Sequence, residues 1–123
     1  MNTKNLGKLG ENIAEKFLTN QLFKTLEKNY RWRGGEIDLI MLKTDPEPSI
    51  VFVEVKTRTN NHFGELTETL DKRKIIKLIK TAHHFILFNQ INPIISWRID
   101  LITVKLNLKN LTKEINHYKY VDG

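Results

Sequence analysis

The apolar positions of the first twenty residues recur at helical spacing. Four of them are three or four residues apart: Leu6, Leu9, Ile13 and Phe17. This spacing places them on one side of a helix and predicts a helix over about residues 3–21. Glu11 lies beside the stripe, near Ala14 and Leu18, and its simplest interpretation is a solvated helix residue.

Further along the chain, short runs of β-branched, aromatic and aliphatic residues are typical of strands. We predict strands over about residues 23–33, 36–42, 50–58, 96–104 and 113–120. Gly34-Gly35 and the proline-containing residues 44–48 are turn signals, so the first three strands should form an antiparallel meander. The last of the five is expected to be an edge strand.

A second helix is predicted over residues 72–88, with Asp71 as its N-cap. Its expected core stripe consists of Ile75, Ile79, Ala82 and Ile86. The preceding segment, about residues 59–70, reads as irregular, with a loop centred on residues 60–64 and a helical turn from Thr67. A strand that follows a long helix should return parallel through a right-handed crossover. The pattern predicts one α/β domain, residues 1–123, with a mixed sheet flanked by helices.

Composition narrows the class of protein. The chain has 123 residues, 40% hydrophobic and 28% charged, which is typical of an ordinary globular domain. It has no cysteine, which excludes disulfides and Cys-ligated zinc and fits a reducing compartment. We expect no signal peptide, because residues 1–10 lack an apolar region, and no membrane span, because no apolar run approaches about 18 residues. A cytoplasmic location follows as an expectation.

The formal net charge is +6, and much of the positive charge lies in the second helix. Five cationic residues crowd its first half: Lys72, Arg73, Lys74, Lys77 and Lys80. A basic face of this kind is suited to phosphate contacts that do not read sequence. A solvated helix face explains the same charges, and both interpretations stay open at this stage.

Charged residues interrupt two of the apolar strands. Alternate residues of a strand share a face, so Glu54 and Lys56 should point the same way as Phe52 and Arg58. The three valines between them, at positions 51, 53 and 55, should point the other way. If the second and third strands pair as a hairpin, Asp38 can lie on the charged face.

Two explanations account for these charges. Glu54 and Lys56 could form a surface salt bridge, which contributes about 0–1 kcal/mol. Alternatively, Asp38 and Glu54 supply hard oxygen ligands for Mg²⁺ or Mn²⁺, with the backbone carbonyl of Val55 as a further ligand. Lys56 would then position the attacking water or stabilise the developing phosphorane charge. The apolar strands around the charges strengthen the second explanation, because enclosed charges need partners, and both explanations stay open at this stage.

The spacing of Asp38 and Glu54-Val55-Lys56 resembles the signature of the PD-(D/E)XK nuclease superfamily. A wider set of residues resembles the YraN-type family of small bacterial proteins, which has a restriction endonuclease-like fold. The residues that carry this resemblance are Gly10-Glu11 with Ala14, residues 35–40, residues 52–58, Phe63-Gly64, Lys74 and residues 98–100 (Arg-Ile-Asp). The superfamily often has proline before its Asp, where this chain has Ile37.

The resemblance implies more than the spacing does. It implies a fold similar to archaeal Holliday-junction resolvases, in which a Glu of the first helix joins the metal site. Glu11 matches that residue, so the resemblance implies that Glu11 is a catalytic and metal-binding residue beside Asp38, Glu54 and Lys56. It also implies Mg²⁺ or Mn²⁺ as cofactor and structured DNA, in preference to RNA, as substrate. The related resolvases are dimers, so a homodimer is an open expectation.

Residues around the charged strands are candidates for substrate contacts. Arg31, Arg33 and Arg58 are expected near the site, and Trp32 or Tyr30 could stack on a base. Lys72, Arg73, Lys74 and Lys77 are expected to contact phosphates. His62 is a further candidate in its loop, whereas His83 and His84 face different directions on a helix and are expected to fill core or surface positions.

Three hypotheses follow from the sequence. The first is a metal-dependent endonuclease acting on structured DNA. The second is a non-catalytic nucleic-acid-binding module that retains the nuclease fold. The third is a protein-interaction adaptor in which the charged cluster is structural.

Overall fold

The structure, a computed structural model, describes residues 2–59 and 70–123. These residues form two helices and five strands, here named in chain order. They are α1 (Thr3–Thr19), β1 (Lys24–Trp32), β2 (Gly35–Lys43), β3 (Ser49–Thr59), α2 (Lys72–Phe88), β4 (Ser96–Asn107) and β5 (Thr112–Tyr118). The predicted loop at residues 60–64, with His62 and Phe63-Gly64, and the predicted turn from Thr67 lie outside the described residues.

The five strands form one sheet in the order β1-β2-β3-β4-β5. The first three pair antiparallel, β4 runs parallel to β3, and β5 pairs antiparallel with β4 at the edge. The predicted meander, the parallel return after α2 and the fifth edge strand are therefore confirmed. A mixed sheet with two helices is an α/β arrangement consistent with a restriction endonuclease-like fold.

The alternation of β3 divides the core into two layers. Val51, Val53 and Val55 pack in the cluster that includes Ala14 and Leu18 of α1. The intervening Phe52 and Ile50 pack in the cluster that includes Leu78, Ala82 and Phe85 of α2. One helix thus covers each face of the sheet, and the predicted opposition of Phe52 to the three valines is confirmed.

The buried face of α1 is rotated from the predicted stripe. Gly10, Ala14 and Leu18 are the buried residues of the helix, whereas the predicted residues only flank this core. A small residue at position 10 lets the helix backbone approach β3 closely, so the centre of contact falls on the Gly10 side. Glu11 therefore lies next to the buried line of the helix and close to the end of β3.

Two glycines of α1 provide a matched test of this close approach. A Cβ at Gly10 would overlap the Thr57 side chain and lie 2.8 Å from its Cβ, whereas a Cβ at Gly7 would meet nothing within 4 Å. Thr57 is β-branched and stiff, so Gly10→Ala should destabilise the protein by about 1–3 kcal/mol. Gly7→Ala should stabilise it by about 0.5–1 kcal/mol through helix propensity. Urea unfolding followed by circular dichroism measures both, and equal effects of the two variants would contradict the close approach.

The second helix has the predicted limits but a different buried face. Asp71 is its N-cap, with the side chain accepting a hydrogen bond from the Lys74 N–H at 2.9 Å. The predicted core stripe is confirmed at Ala82, but the other buried residues are Leu78, Thr81 and Phe85, whereas Ile75, Ile79 and Ile86 are only partly buried. Thr81 explains the rotation, because it accepts a hydrogen bond from Trp32 Nε1 of β1 at 2.9 Å. That contact accounts for a polar residue on the buried face of α2.

Within the described parts of the chain, no helix has the length and apolar character required to cross a membrane. The apolar residues of α2 pack on β2 and its neighbouring strands.

Candidate active site

The site lies where β2 and β3 separate. The two strands pair from Lys43↔Ser49 to Leu39↔Val53, and the pairing stops there. Beyond this point β2 pairs only with β1, and β3 pairs only with β4. Asp38 and Glu54 are the first residues after the separation, one on each arm of the fork.

The fork positions the Asp38 carboxylate by a backbone contact. Its Oδ2 accepts a hydrogen bond from the Val55 N–H at 2.8 Å. This amide has no strand partner on the β2 side, so the side chain of Asp38 takes the place of a missing backbone acceptor. Asp38 thereby points across the gap towards Glu54.

Asp38 and Glu54 form a carboxylate pair. Burial raises the pKa of Asp38 to about 9, and the charge and hydrogen-bonding of Glu54 add to the effect. Asp38 therefore holds a proton at neutral pH, and a hydrogen bond joins it to Glu54. Glu54 is 7% exposed, so this charge is largely removed from solvent. Such an arrangement costs stability and is typical of functional sites.

Two lysines share the Glu54 carboxylate. Lys56 Nζ, from β3, and Lys74 Nζ, from α2, each lie 3.5 Å from Glu54 Oε2. Burial lowers the pKa of Lys56, and Lys74 lowers it further. Burial also acts to lower the pKa of Lys74, but its contacts with Lys56 and Glu54 leave it raised. The two amines are thus inequivalent, and the cation is held more firmly on Lys74.

A cavity of about 520 Å³ opens at the fork. It contains both carboxylates, both lysines and a wall from the β1–β2 hairpin. Its lining residues are Arg31, Trp32, Arg33, Gly35, Glu36, Asp38, Glu54, Val55, Lys56, Lys74, Lys77 and Leu78. A carboxylate pair surrounded by cationic side chains is suited to a divalent metal ion beside a phosphate group.

Glu11 borders a different cavity. This second cavity, about 560 Å³, lies between the start of α1 and the end of β3 and includes Glu11 and Arg58. It shares Val55 and Lys56 with the first cavity, so the two meet at the fork. Burial raises the pKa of Glu11, and the charge of Glu54 adds to this, which shows that the two carboxylates are within electrostatic reach.

The arrangement supplies two side-chain ligands for a metal ion, not three. Among the residues that the structure describes, no group of three or more His, Asp or Glu side chains is placed to hold a metal ion. Asp38 and Glu54 offer oxygen ligands of the kind that Mg²⁺ and Mn²⁺ prefer, and a cation would replace the proton that they share. The donor chemistry therefore fits a divalent ion, with Glu11 outside the pair.

The expected substrate residues fall into three groups. Arg31, Arg33, Lys74 and Lys77 line the first cavity and Arg58 lines the second, whereas Lys72 and Arg73 are exposed at the start of α2 and line neither. Base stacking on Tyr30 is wrong, because its ring is 7% exposed. Trp32 is half-buried, with Gly34 packed against its six-membered ring and His84 stacked on it at 4.4 Å.

Sequence reasoning missed two features around the fork. It treated Lys74 as a general phosphate contact and did not place it on Glu54. A signal was present, since Asp71 predicted the helix start and therefore put residue 74 in the first turn. The termination of β2–β3 pairing had no signal in the local pattern.

The chain matches a known protein family over most of its length. Residues 10–104 match the family described as "Uncharacterised protein family UPF0102". The UPF0102 protein of Caldanaerobacter subterraneus subsp. tengcongensis is 44% identical over 121 residues, covering 95% of this chain and 93% of the relative. That of Clostridioides difficile strain 630 is 43% identical over 119 residues, covering 95% and 96%. A Vibrio parahaemolyticus relative is 38% identical over 101 residues, covering 82% and 81%. The chain belongs to the UPF0102 (YraN) family.

Proposed function

We propose that this protein is a metal-dependent endonuclease that hydrolyses phosphodiester bonds in structured DNA. The observation that carries the proposal is the fork, which holds the Asp38 and Glu54 carboxylates together beside Lys56 and Lys74 in an open cavity. A buried carboxylate pair with a raised pKa has no evident structural benefit, because an apolar pair would cost less. Its chemistry is explained by a cation that replaces the shared proton.

Asp38, Glu54 and the Val55 carbonyl would hold Mg²⁺ or Mn²⁺. When bound, such an ion lowers the pKa of a coordinated water and stabilises charge on phosphoryl oxygens. Lys56 Nζ orients the attacking water or contacts the phosphorane oxygens from the Glu54 side. Lys74 keeps a positive charge at the same carboxylate and contacts a phosphate oxygen. Glu11, reached through Val55 and Lys56, would act from the second cavity.

The substrate side is cationic and lacks base-reading geometry. Arg31 and Arg33 of the hairpin and Lys77 of α2 line the cavity around the carboxylates. They are suited to phosphates on either side of the reacting one, which position a strand without specifying sequence. Shape or strand structure would then determine which DNA is bound. The net charge of +6 supports the same choice of partner.

The proposal is tested by incubating the purified protein with Mg²⁺ or Mn²⁺ and end-labelled linear, single-stranded, flapped and four-way DNA. We expect cleavage of the branched or flapped substrates, reduced at least about 100-fold in Glu54→Gln. Glu47→Gln, in the exposed turn at the opposite end of the β2–β3 hairpin, is the matched control and should cleave like the wild type. Absence of cleavage of all four substrates with both metals would overturn the proposal.

A non-catalytic nucleic-acid-binding role is the second candidate. It is favoured by the position of Glu11 outside the carboxylate pair, since only two side-chain ligands meet at the fork. In that case DNA binding should fall steeply with salt and should survive Glu54→Gln. Neither Mg²⁺ nor Mn²⁺ should then lead to cleavage products. The cleavage assay and a salt titration of binding separate the two functions.

A further inference from the structure

One face of α2 runs from the carboxylate pair to the end of the helix. Its residues recur at three- and four-residue spacing and therefore form a continuous stripe: Lys74, Lys77, Thr81, His84 and Phe88. Lys74 and Lys77 line the cavity at one end of this stripe. The other end carries rings instead of charges.

Three rings of β1 and α2 form an ordered stack. Trp32 and His84 are 4.4 Å apart with an interplanar angle of 18°, and His84 and Phe88 are 5.7 Å apart at 12°. The indole is fixed by its hydrogen bond to Thr81 Oγ1, and the imidazole by a 2.5 Å hydrogen bond between Nδ1 and Tyr30 Oη. The stack therefore has defined ring planes and begins at the wall of the cavity.

The outer end of the stack is open. Phe88 is 74% exposed, whereas Tyr30 is buried and Trp32 is half-buried. Because neighbouring contacts hold the other rings, Phe88 is the member of the stack that presents most of its surface to a further flat ring. An exposed aromatic ring of this kind can stack on an unpaired base and add to its affinity.

We infer that Phe88 is a stacking site for an unpaired nucleobase of the strand whose phosphates contact Lys74 and Lys77. The inference rests on nucleic-acid binding at the cavity, as proposed above, but not on hydrolysis. A nucleobase is the occupant that this face favours, because it carries phosphate-binding cations at one end and an exposed ring at the other, with the buried Thr81 covered by Trp32 between them. Phe88 stacks on any base, so it adds affinity without sequence preference.

The length of the stripe defines the substrate further. Lys74 and Phe88 are 14 residues apart, or about 21 Å along a helix. At a rise of about 3.4 Å per nucleotide, this corresponds to roughly six nucleotides of a stacked strand. A blunt duplex keeps its bases paired and cannot reach Phe88 with a free ring. The preferred ligand is therefore a duplex with a single-stranded flap or overhang of about six nucleotides or more.

The test measures binding to labelled DNA in Ca²⁺, chosen as a metal ion that does not support cleavage. The ligands are a blunt duplex and the same duplex carrying a ten-nucleotide overhang at either end. We expect Phe88→Ala to weaken binding of one overhang substrate about tenfold and to leave the blunt duplex unchanged. Phe88→Trp should bind as tightly as the wild type or more tightly. Leu87→Ala is the matched control, since Leu87 is 78% exposed and lies outside the stripe.

A salt titration adds an independent readout. Lys77→Ala should reduce the slope of log affinity against log salt, because it removes a phosphate contact, whereas Phe88→Ala should lower affinity without changing the slope. An equal loss for blunt and overhang duplexes, or an equal effect of Leu87→Ala, would overturn the stacking site. Overhang-specific binding without cleavage in Mg²⁺ or Mn²⁺ would refute only the endonuclease, and absence of all binding would refute both proposals.

Discussion

Asp38→Asn is expected to abolish cleavage and at the same time to make the resting protein more stable. The asparagine keeps an oxygen that can accept the hydrogen bond from the Val55 N–H, so the fork should retain its shape. The asparagine amide is neutral, so position 38 no longer places a carboxyl beside Glu54. An amide is also a poor ligand for a divalent ion compared with a carboxylate. Cleavage should fall at least about 100-fold. The free energy of unfolding at pH 7 should rise by about 1–2 kcal/mol, since Lys56 and Lys74 already offset part of the cost of the charge.

The pH dependence of stability gives the sign of this effect. Burial and Glu54 raise the pKa of Asp38 from 3.8 to about 9 in the folded state. Between these values the folded protein binds more protons than the unfolded chain, so the contribution of Asp38 to stability falls as the pH rises. Asp38→Asn should remove this slope. Urea unfolding at pH 5, 6.5 and 8 measures it, with Glu47→Gln as the control that retains the wild-type slope.

Addition of metal should make the wild type more stable than Asp38→Asn and so reverse their order of stability. Mn²⁺ displaces the shared proton, so it should raise the melting temperature of the wild type, and more at pH 8 than at pH 6. The melting temperature of Asp38→Asn should respond little. A wild type that is already more stable than Asp38→Asn at pH 8 without metal would contradict the proposed cost of the carboxylate pair.

Local sequence patterns predicted much of the sheet correctly but little of the geometry of the fork. The alternation at residues 51–55 is strict, and it predicted correctly which side chains of β3 face each helix. The N-cap at Asp71 likewise fixed the start of α2, because a side-chain oxygen followed by a helical pattern is a local signal. Asp38 and Glu54 were also predicted as site residues from a local signal, because each is a charged residue within a run that is otherwise apolar.

The features that sequence missed depend on contacts between distant elements. Both helices contain more apolar residues than one face can bury, so a hydrogen bond such as Trp32–Thr81 decides the rotation of α2. The pairing of Lys74 with Glu54 follows from that rotation. The separation of β2 from β3 is a relation between two strands, and no short segment of the sequence specifies where their pairing stops.

The same limit applies to Arg98 and Asp100 of β4, which are among the residues that carry the family resemblance. Asp100 is fully buried, and both its oxygens are occupied: Arg98 Nε lies 3.0 Å from Oδ1, and His117 Nε2 lies 2.7 Å from Oδ2. The backbone N–H of Tyr120 also donates to Oδ1 at 3.1 Å. Arg98 is a neighbour on β4, but His117 and Tyr120 come from β5 and the C-terminal segment, so the sequence around Asp100 could not reveal them. The shared Arg-Ile-Asp residues thus have a structural explanation, since Arg98 and Asp100 line neither cavity at the fork.

Asp100→Ala is expected to be the most destabilising of the substitutions considered. It leaves the Arg98 guanidinium, 6% exposed, without its carboxylate and removes the acceptor that joins β4 to His117 and Tyr120. Loss of one partner of a buried ion pair costs about 3–5 kcal/mol. Burial acts to raise the pKa of Asp100, but hydrogen bonds from His117, Tyr120 and Arg98 hold it below its ordinary value. Its stabilisation is therefore present above about pH 4 and is lost as the pH falls towards the lowered pKa.

A double variant distinguishes this network from a general loss of packing. Arg98→Met combined with Asp100→Leu replaces the pair with apolar groups, so it should be more stable than Asp100→Ala, although it has two substitutions. Urea unfolding at pH 7 measures all three proteins. If the double variant loses as much stability as the sum of the single variants Asp100→Leu and Arg98→Met, which are measured in the same way, the two side chains are not coupled. If Asp100→Ala costs less than about 1 kcal/mol, the C-terminal segment is held to β4 mainly by its backbone contact between the Val121 N–H and the Ile99 carbonyl, 2.8 Å long, and not by the carboxylate.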